Sequence, residues 1–279
     1  MITTNENTLA FCELGIARWN ALVKQARVAS ASDNNTISQQ VFEMLKQAYF
    51  EVSEFQIQHW CKNFTKWASK HRSEYINPSD FKIHAYLGIL EEEGEEGQKV
   101  EKFYLALIDM FSDQRSSFEP KEIILSAANK QWNYHPNMAP DRTSNDTTLD
   151  PLDAVERIVA WDKLGMHWWE NALHDPTDQV FRAFDIPFLD FVDLSDKPGS
   201  YYVFLGLREE KTTSLDLTPA KYTISPEIIV GRGEVNQGIH RLEYVTREEG
   251  VSTADLSTLV PPFKPGADSY QLYEQSVAI

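Results

Sequence analysis

The longest helical pattern in this sequence starts at Thr36 and limits the possible folds more than any other feature. Thr36 and Gln39 have the spacing of a capping box, in which each side chain satisfies a backbone N–H group at the start of a helix. The residues that follow place an apolar stripe on one face, since each residue turns an α-helix by about 100°. The pattern predicts one long helix over residues 36–71, packed centrally among other helices. The stripe contains Ile37, Val41, Met44, Ala48, Val52, Phe55 and His59.

Further helices are predicted on both sides of this one. Apolar residues recur at helical spacing over residues 8–29, and Pro78 precedes the segment FKIHAYLGILEEE, which we expect to be helical. The segments VEKFYLALIDMF and EPKEIILSAANKQW extend the pattern, and Pro151 suits the first turn of a helix that ends near Leu173. Residues 134–150 are rich in Pro, Asn, Asp and Thr, which predicts a loop. The chain is therefore expected to be mainly α, with an antiparallel helical bundle over residues 1–183.

The last third of the chain has a different character. The runs SYYVFLGLRE, PEIIVGR and IHRLEYVTR are short and rich in β-branched and aromatic residues, which favours strands. We expect residues 184–279 to form a turn-rich, β-containing C-terminal region beside the bundle. No internal repeat is evident in the sequence.

The charge balance excludes some classes of partner. Lys and Arg number 26 against 42 Asp and Glu, so the formal net charge is -16. Such a field repels phosphate backbones and anionic lipids, so neither a nucleic acid nor a membrane is expected as a partner. With only Cys12 and Cys61 there is no disulfide framework, and the N-terminal residues lack the pattern of a signal peptide. We therefore expect a cytoplasmic protein, with a homodimer as one option for its assembly.

Titratable residues on the predicted inner faces of the helices form the candidate site. Asp162 lies within the apolar stripe from Leu152 to Leu173, where a buried carboxylate needs an ion pair, hydrogen bonds or a metal ion. Each candidate also has a structural interpretation, such as a satisfied core histidine, a solvated acidic helix end or an ion pair with arginine. Carboxylates and imidazoles that converge inside a bundle build metal sites. The candidate ligands from this pattern are His59, His84, Glu92, Asp162, His167 and His174.

Two segments also resemble a known family. The stretch SQQVFEMLKQAYFEVSEFQIQHW, followed by NPSDFKIHAYLGILEEEGEEGQKVEKFYLALIDMF, resembles the core of the heme-oxygenase-like superfamily, which includes thiaminase-II-like proteins and non-heme diiron oxidases. The resemblance implies that Glu92 or Glu93, just before Gly94, is the first carboxylate ligand. It implies the same role on a later helix for Asp162, whereas Glu101 stands where the family has a histidine. At the place of the family's final ligand helix this chain has Asp190, Asp193 and Asp196.

These observations give a leading hypothesis and two alternatives. The leading hypothesis is an oxidase or oxygenase that acts on a small organic molecule at a non-heme iron centre with one or two metal ions. The first alternative is a non-catalytic, acidic protein-interaction or scaffold protein on a metal-free bundle, with Tyr201, Tyr202 and Tyr270 as exposed contact residues. The second is a metal-free, thiaminase-like enzyme with Cys61 as its nucleophile. A small-molecule substrate or a protein partner follows accordingly.

Overall fold

The computed structural model describes most of the chain, with gaps. The described residues are 7–31, 36–46, 48–70, 80–93, 98–114, 123–128, 151–175, 180–212, 221–236, 239–245, 258–260 and 270–273. The predicted loop over residues 134–150 lies outside them. None of the helices in the described part of the chain is both long enough and apolar enough to cross a membrane.

Helices and strands are mixed throughout the described part of the chain. The first half contains α1 (Asn7–Ser30), α2 (Thr36–Leu45), β1 (Tyr49–Val52), α3 (Glu54–Lys70), β2 (Lys82–Glu93), β3 (Lys99–Asp109), α4 (Met110–Asp113) and β4 (Ile124–Ala127). The second half contains α5 (Pro151–His174), β5 (Ala183–Pro187), α6 (Leu189–Val192), β6 (Ser200–Thr212), β7 (Lys221–Asn236), β8 (Ile239–Val245) and β9 (Thr258–Val260).

The expected mainly α, heme-oxygenase-like bundle is wrong, because the strands form two antiparallel sheets. One sheet has the strand order β1-β6-β7-β8, and the other has the order β4-β3-β2-β5-β9. The protein is therefore a mixed α/β structure. The expected boundary between residues 183 and 184 falls inside β5, and each sheet contains strands from both sides of it.

The predicted long helix over residues 36–71 is interrupted by a strand. Residues Tyr49–Val52 form β1, and α3 starts afresh after Ser53. The backbone N–H of Ser53 donates to Oε1 of Gln56 at 2.7 Å, which is one half of a capping box at the start of α3. A second helix start thus lies inside the pattern that predicted one continuous helix.

The segments FKIHAYLGILEEE and VEKFYLALIDMF form β2 and β3, not helices. Alternate residues point to opposite faces of the sheet, and both faces are buried. Ile83, Ala85 and Leu87 pack in the central core, whereas Tyr86 and Leu90 pack in a separate cluster on the outer face. A strand buried on both faces has no alternation of polar and apolar residues, so its sequence is easily mistaken for a buried helix.

The two halves repeat one arrangement, and each lends its first strand to the sheet of the other. In β1, Phe50 lies opposite Val203 of β6, and in β5, Phe184 lies opposite Ala85 of β2. The pairs on either side follow the same register: Glu51 with Tyr202 matches Asp185 with His84, and Val52 with Tyr201 matches Ile186 with Ile83. The strand pairing therefore repeats between the two halves, with crossed strands, although the sequence itself shows no evident repeat.

The two long helices follow the same repeat. Helix α1 carries Ile16 and Trp19, and α5 carries Ile158 and Trp161 at the same spacing, all buried. The indole Nε1 of Trp19 donates to the carbonyl of Phe181 at 3.3 Å, ahead of β5, and that of Trp161 donates to the carbonyl of Leu45 at 3.4 Å, ahead of β1. Helix α1 thus contacts the segment that leads to β5, and α5 contacts the segment that leads to β1.

Close packing of α1 on its sheet depends on two glycines. The phenol of Tyr104 lies between Gly15 of α1 and Gly88 of β2, and a Cβ atom at either glycine would clash with that ring. The hydroxyl of Tyr104 donates to the carbonyl of Cys12 at 3.2 Å. One aromatic ring therefore fixes the distance between helix and sheet.

Candidate functional site

The predicted metal ligands do not converge. His59 lies on α3, where its Nε2 is 3.3 Å from Nδ2 of Asn63, and His84 lies on β2. At the far end of β2, Glu92 forms an ion pair with Lys102 at 2.5 Å, and Glu93 lies opposite Lys99. The others lie on β3 and α5. Glu101 is exposed, Asp162 is half-buried, His167 is exposed, and His174 is exposed with its Nε2 3.1 Å from Oγ of Ser30.

The metal-binding prediction is therefore wrong for these residues. Among the described residues, no group of three or more His, Cys, Asp or Glu side chains is placed to hold a metal ion. The leading iron-oxidase hypothesis loses the ligands on which it depended, and the activity itself stays a prediction. The acids at the family's final ligand helix fall on and after the short α6, where Asp193 and Asp196 are exposed.

One predicted residue, His84, belongs to a buried cluster of ionisable side chains. Its Nδ1 lies 2.5 Å from Oδ2 of Asp113 in α4, and its Nε2 lies 3.7 Å from Oδ1 of Asp185 in β5. The hydroxyl of Tyr86 donates to the same Oδ2 of Asp113, and the hydroxyl of Tyr270 donates to Oδ2 of Asp185 at 2.7 Å. We call these five residues the His84 cluster.

The His84 cluster is closed by the chain itself. Asp113 is completely buried and His84 is 1% exposed, while the ring of Tyr270 packs on the imidazole at a tilt of 30° with centroids 4.5 Å apart. The backbone N–H of Leu272 donates to Oδ1 of Asp113 at 3.1 Å. Asp113 thus accepts three hydrogen bonds, two from side chains of β2 and one from the backbone of Leu272, and it anchors residues 270–273 to the outer face of the sheet.

Electrostatics agree with a closed interior. Burial, and then the adjacent carboxylate of Asp113, raise the pKa of Tyr86 well above its usual range. A phenol in this setting keeps its proton and acts as a hydrogen-bond donor. An Asp–His pair can take part in acid–base chemistry, but His84 is buried and the ring of Tyr270 covers its imidazole.

The second half of the repeat has aromatic residues at the positions of the His84 cluster. The residues matching His84 and Tyr86 are Tyr202 and Phe204, and the residue matching Ala183 is Tyr49. These three rings pack against each other with centroids 5.9–6.4 Å apart. Aromatic packing alone therefore fills this position in the second half. The hydrogen-bonded His84 cluster occurs at this position in the first half only.

Sequence reasoning found His84 but missed its partners. Asp113, Asp185 and Tyr270 come from distant parts of the chain and meet only through the sheet order. Tyr86 could have been predicted as a neighbour of His84, because the two residues share a face when the segment is assigned as a strand. The helical assignment placed them on different faces.

The structure also bears on the two alternative hypotheses, the Cys61 nucleophile and the exposed tyrosines. Cys61 is an exposed free thiol, and partial burial raises its pKa, which disfavours the thiolate that a nucleophile needs. Tyr201, Tyr202 and Tyr270 are 2%, 3% and 8% exposed, so they are not the contact residues of an interaction surface.

Comparisons of the chain with protein-family profiles, with curated proteins and with solved structures gave no significant match.

Proposed function

We propose that this chain is a non-catalytic, acidic interaction protein that binds a cationic segment of another protein. The observation that carries the proposal is the location of the ionisable groups, some in a buried cluster and others at the surface. The buried cluster that could support acid–base chemistry is covered by the chain's own residues 270–273, whose Leu272 N–H donates to Asp113. The chain as a whole has a net charge of -16, and described acids such as Glu43 and Asp196 are exposed.

Several described acids at the surface support this proposal. The side chains of Glu43, Glu54 and Asp196 are 67%, 64% and 74% exposed, and each lies within 4 Å of one cation of the chain, namely Lys46, Arg232 and Lys197. The net charge of -16 means that acids outnumber such cations in the chain as a whole. Exposed carboxylates in excess attract cationic partners and speed their association. A cytoplasmic location is part of the proposal, and the free thiols of Cys12 and Cys61 fit a reducing compartment.

Selection from a displayed library of random peptides tests this function. We expect the immobilised protein to enrich peptides with net positive charge, and we expect their affinity to fall as salt is raised, because exposed charges are screened. An unrelated acidic protein of equal net charge is the control for unspecific attraction. Enrichment of neutral or acidic peptides, or of the same peptides by the control protein, would refute the proposal.

A further inference from the structure

A surface groove lies where α2 meets α1 and β3. Its volume is about 460 Å³, within the range of binding pockets. Leu22, Ile37, Val41 and Met44 supply an apolar floor. Leu22, Ile37 and Met44 are only partly buried, so the groove leaves apolar surface open to solvent. The polar lining residues are Thr36, Gln39, Gln40, Glu43 and Glu101.

The groove belongs to the half of the repeat that contains an additional helix. Helix α2 lies between α1 and β1, whereas the structure describes no helix between α5 and β5, a stretch in which residues 176–179 are not described. Leu164 of α5 occupies the position that corresponds to Leu22, and it is 46% exposed. The repeated scaffold therefore does not need α2 to cover this position, and α2 converts an open helix face into a lined groove.

The charges at the rim favour a cation. Glu43 has Lys46 at 3.5 Å, but Glu101 forms no ion pair with a described lysine or arginine. Its neighbours on β3 are already engaged, since Lys99 pairs with Glu91 at 2.9 Å and Lys102 pairs with Glu92 at 2.5 Å. A partner that brings its own positive charge would pair with Glu101 without breaking an existing contact.

We infer that this groove is the docking site for a basic amphipathic helix of a partner protein. An apolar stripe on such a helix would fill the floor at Ile37, Val41 and Met44, and flanking lysines or arginines would meet Glu43 and Glu101. The thioether of Met44 suits such a site, because its flexible side chain adapts to different apolar anchors. This inference rests on the proposed function, for which it names the surface and the class of partner.

Fluorescence anisotropy with a labelled peptide tests the inference on the full chain. The probe is a peptide of leucine and lysine in which the leucines recur at helical spacing. A second peptide has the same composition in alternating order. Met44→Lys is compared with Phe55→Lys, since both replace an apolar residue by a lysine and Phe55 is 79% exposed on α3, outside the groove. Glu101→Gln is compared with Asp196→Asn, which removes one exposed charge away from the groove lining.

We expect Met44→Lys to weaken binding about tenfold, as for an interface side chain that carries much of the affinity, while Phe55→Lys changes it less than about twofold. Glu101→Gln should weaken binding more than Asp196→Asn, and it tests the groove even if Met44→Lys fails to fold. Equal effects of the groove and control variants would overturn the docking site but leave the proposed function standing. Equal binding of both peptides would overturn the helical partner. If neither peptide binds and the library selection enriches no cationic peptides, both proposals are overturned.

Discussion

Replacing Asp113 by alanine should lower the free energy of unfolding by about 3–5 kcal/mol, because three buried hydrogen-bond donors lose their acceptor. The carboxylate accepts hydrogen bonds from His84, from the Tyr86 hydroxyl and from the backbone N–H of Leu272. Alanine leaves these three donors without their acceptor, and each unsatisfied buried group costs about 1–3 kcal/mol. Local relaxation around the smaller side chain keeps the total below the sum of the three.

Urea unfolding measures this loss, with an unchanged slope against urea to show that the two states stay comparable. Asp196→Ala is the control, because its side chain is 74% exposed and its loss should stay within about 0.5 kcal/mol. Tyr86→Phe removes a single donor and should cost about 1–2 kcal/mol, so it remains measurable if Asp113→Ala does not fold. A loss below about 1 kcal/mol for Asp113→Ala would show that the His84 cluster does not hold the fold together, and the reasoning would fail.

Three further results are expected. Gly88→Ala should destabilise the protein by about 1–3 kcal/mol in thermal melting, because the new Cβ would clash with the buried ring of Tyr104; a wild-type melting curve would contradict this packing. An aromatic disulfide reagent should label the exposed Cys61 in the native protein and label the buried Cys12 only after unfolding, and rapid labelling of both would contradict the structure. Stability should decline above about pH 10, because burial raises the pKa of Tyr86 in the folded state, so the unfolded chain loses that proton first. Tyr86→Phe should reduce this decline by about 1.4 kcal/mol per pH unit in urea titrations, and an unchanged decline would contradict the assignment.

The two helices with one apolar face were predictable from the sequence. Residues 8–29 and 151–173 match α1 and α5 within one or two positions, because one side of each helix faces solvent and leaves a period in the sequence. The strand-like runs after residue 199 match β6, β7 and β8 for a similar reason, since their β-branched and aromatic residues favour extended backbone.

The middle of the fold was not predictable in the same way. In β2, the side chains of His84 and Tyr86 point to one buried face, and those of Ile83 and Ala85 point to the other. Because neither face is polar, the sequence lacks the polar–apolar alternation that identifies a strand. The candidate site failed for a related reason. Asp113 and Asp185 reach His84 only because β5 crosses to the sheet of the first half, and nothing local to either acid encodes that pairing.

The exchange of β1 and β5 has a consequence for how the protein is made. When the first half leaves the ribosome, β2 still lacks Ala183–Pro187 along one edge, and β1 waits for residues 201–204, which are synthesised much later. An unpaired strand edge invites pairing with other chains, and contacts between residues so far apart in sequence form slowly. Premature termination between the halves would thus release a product prone to aggregate, so that completion of the chain and solubility of the product are coupled.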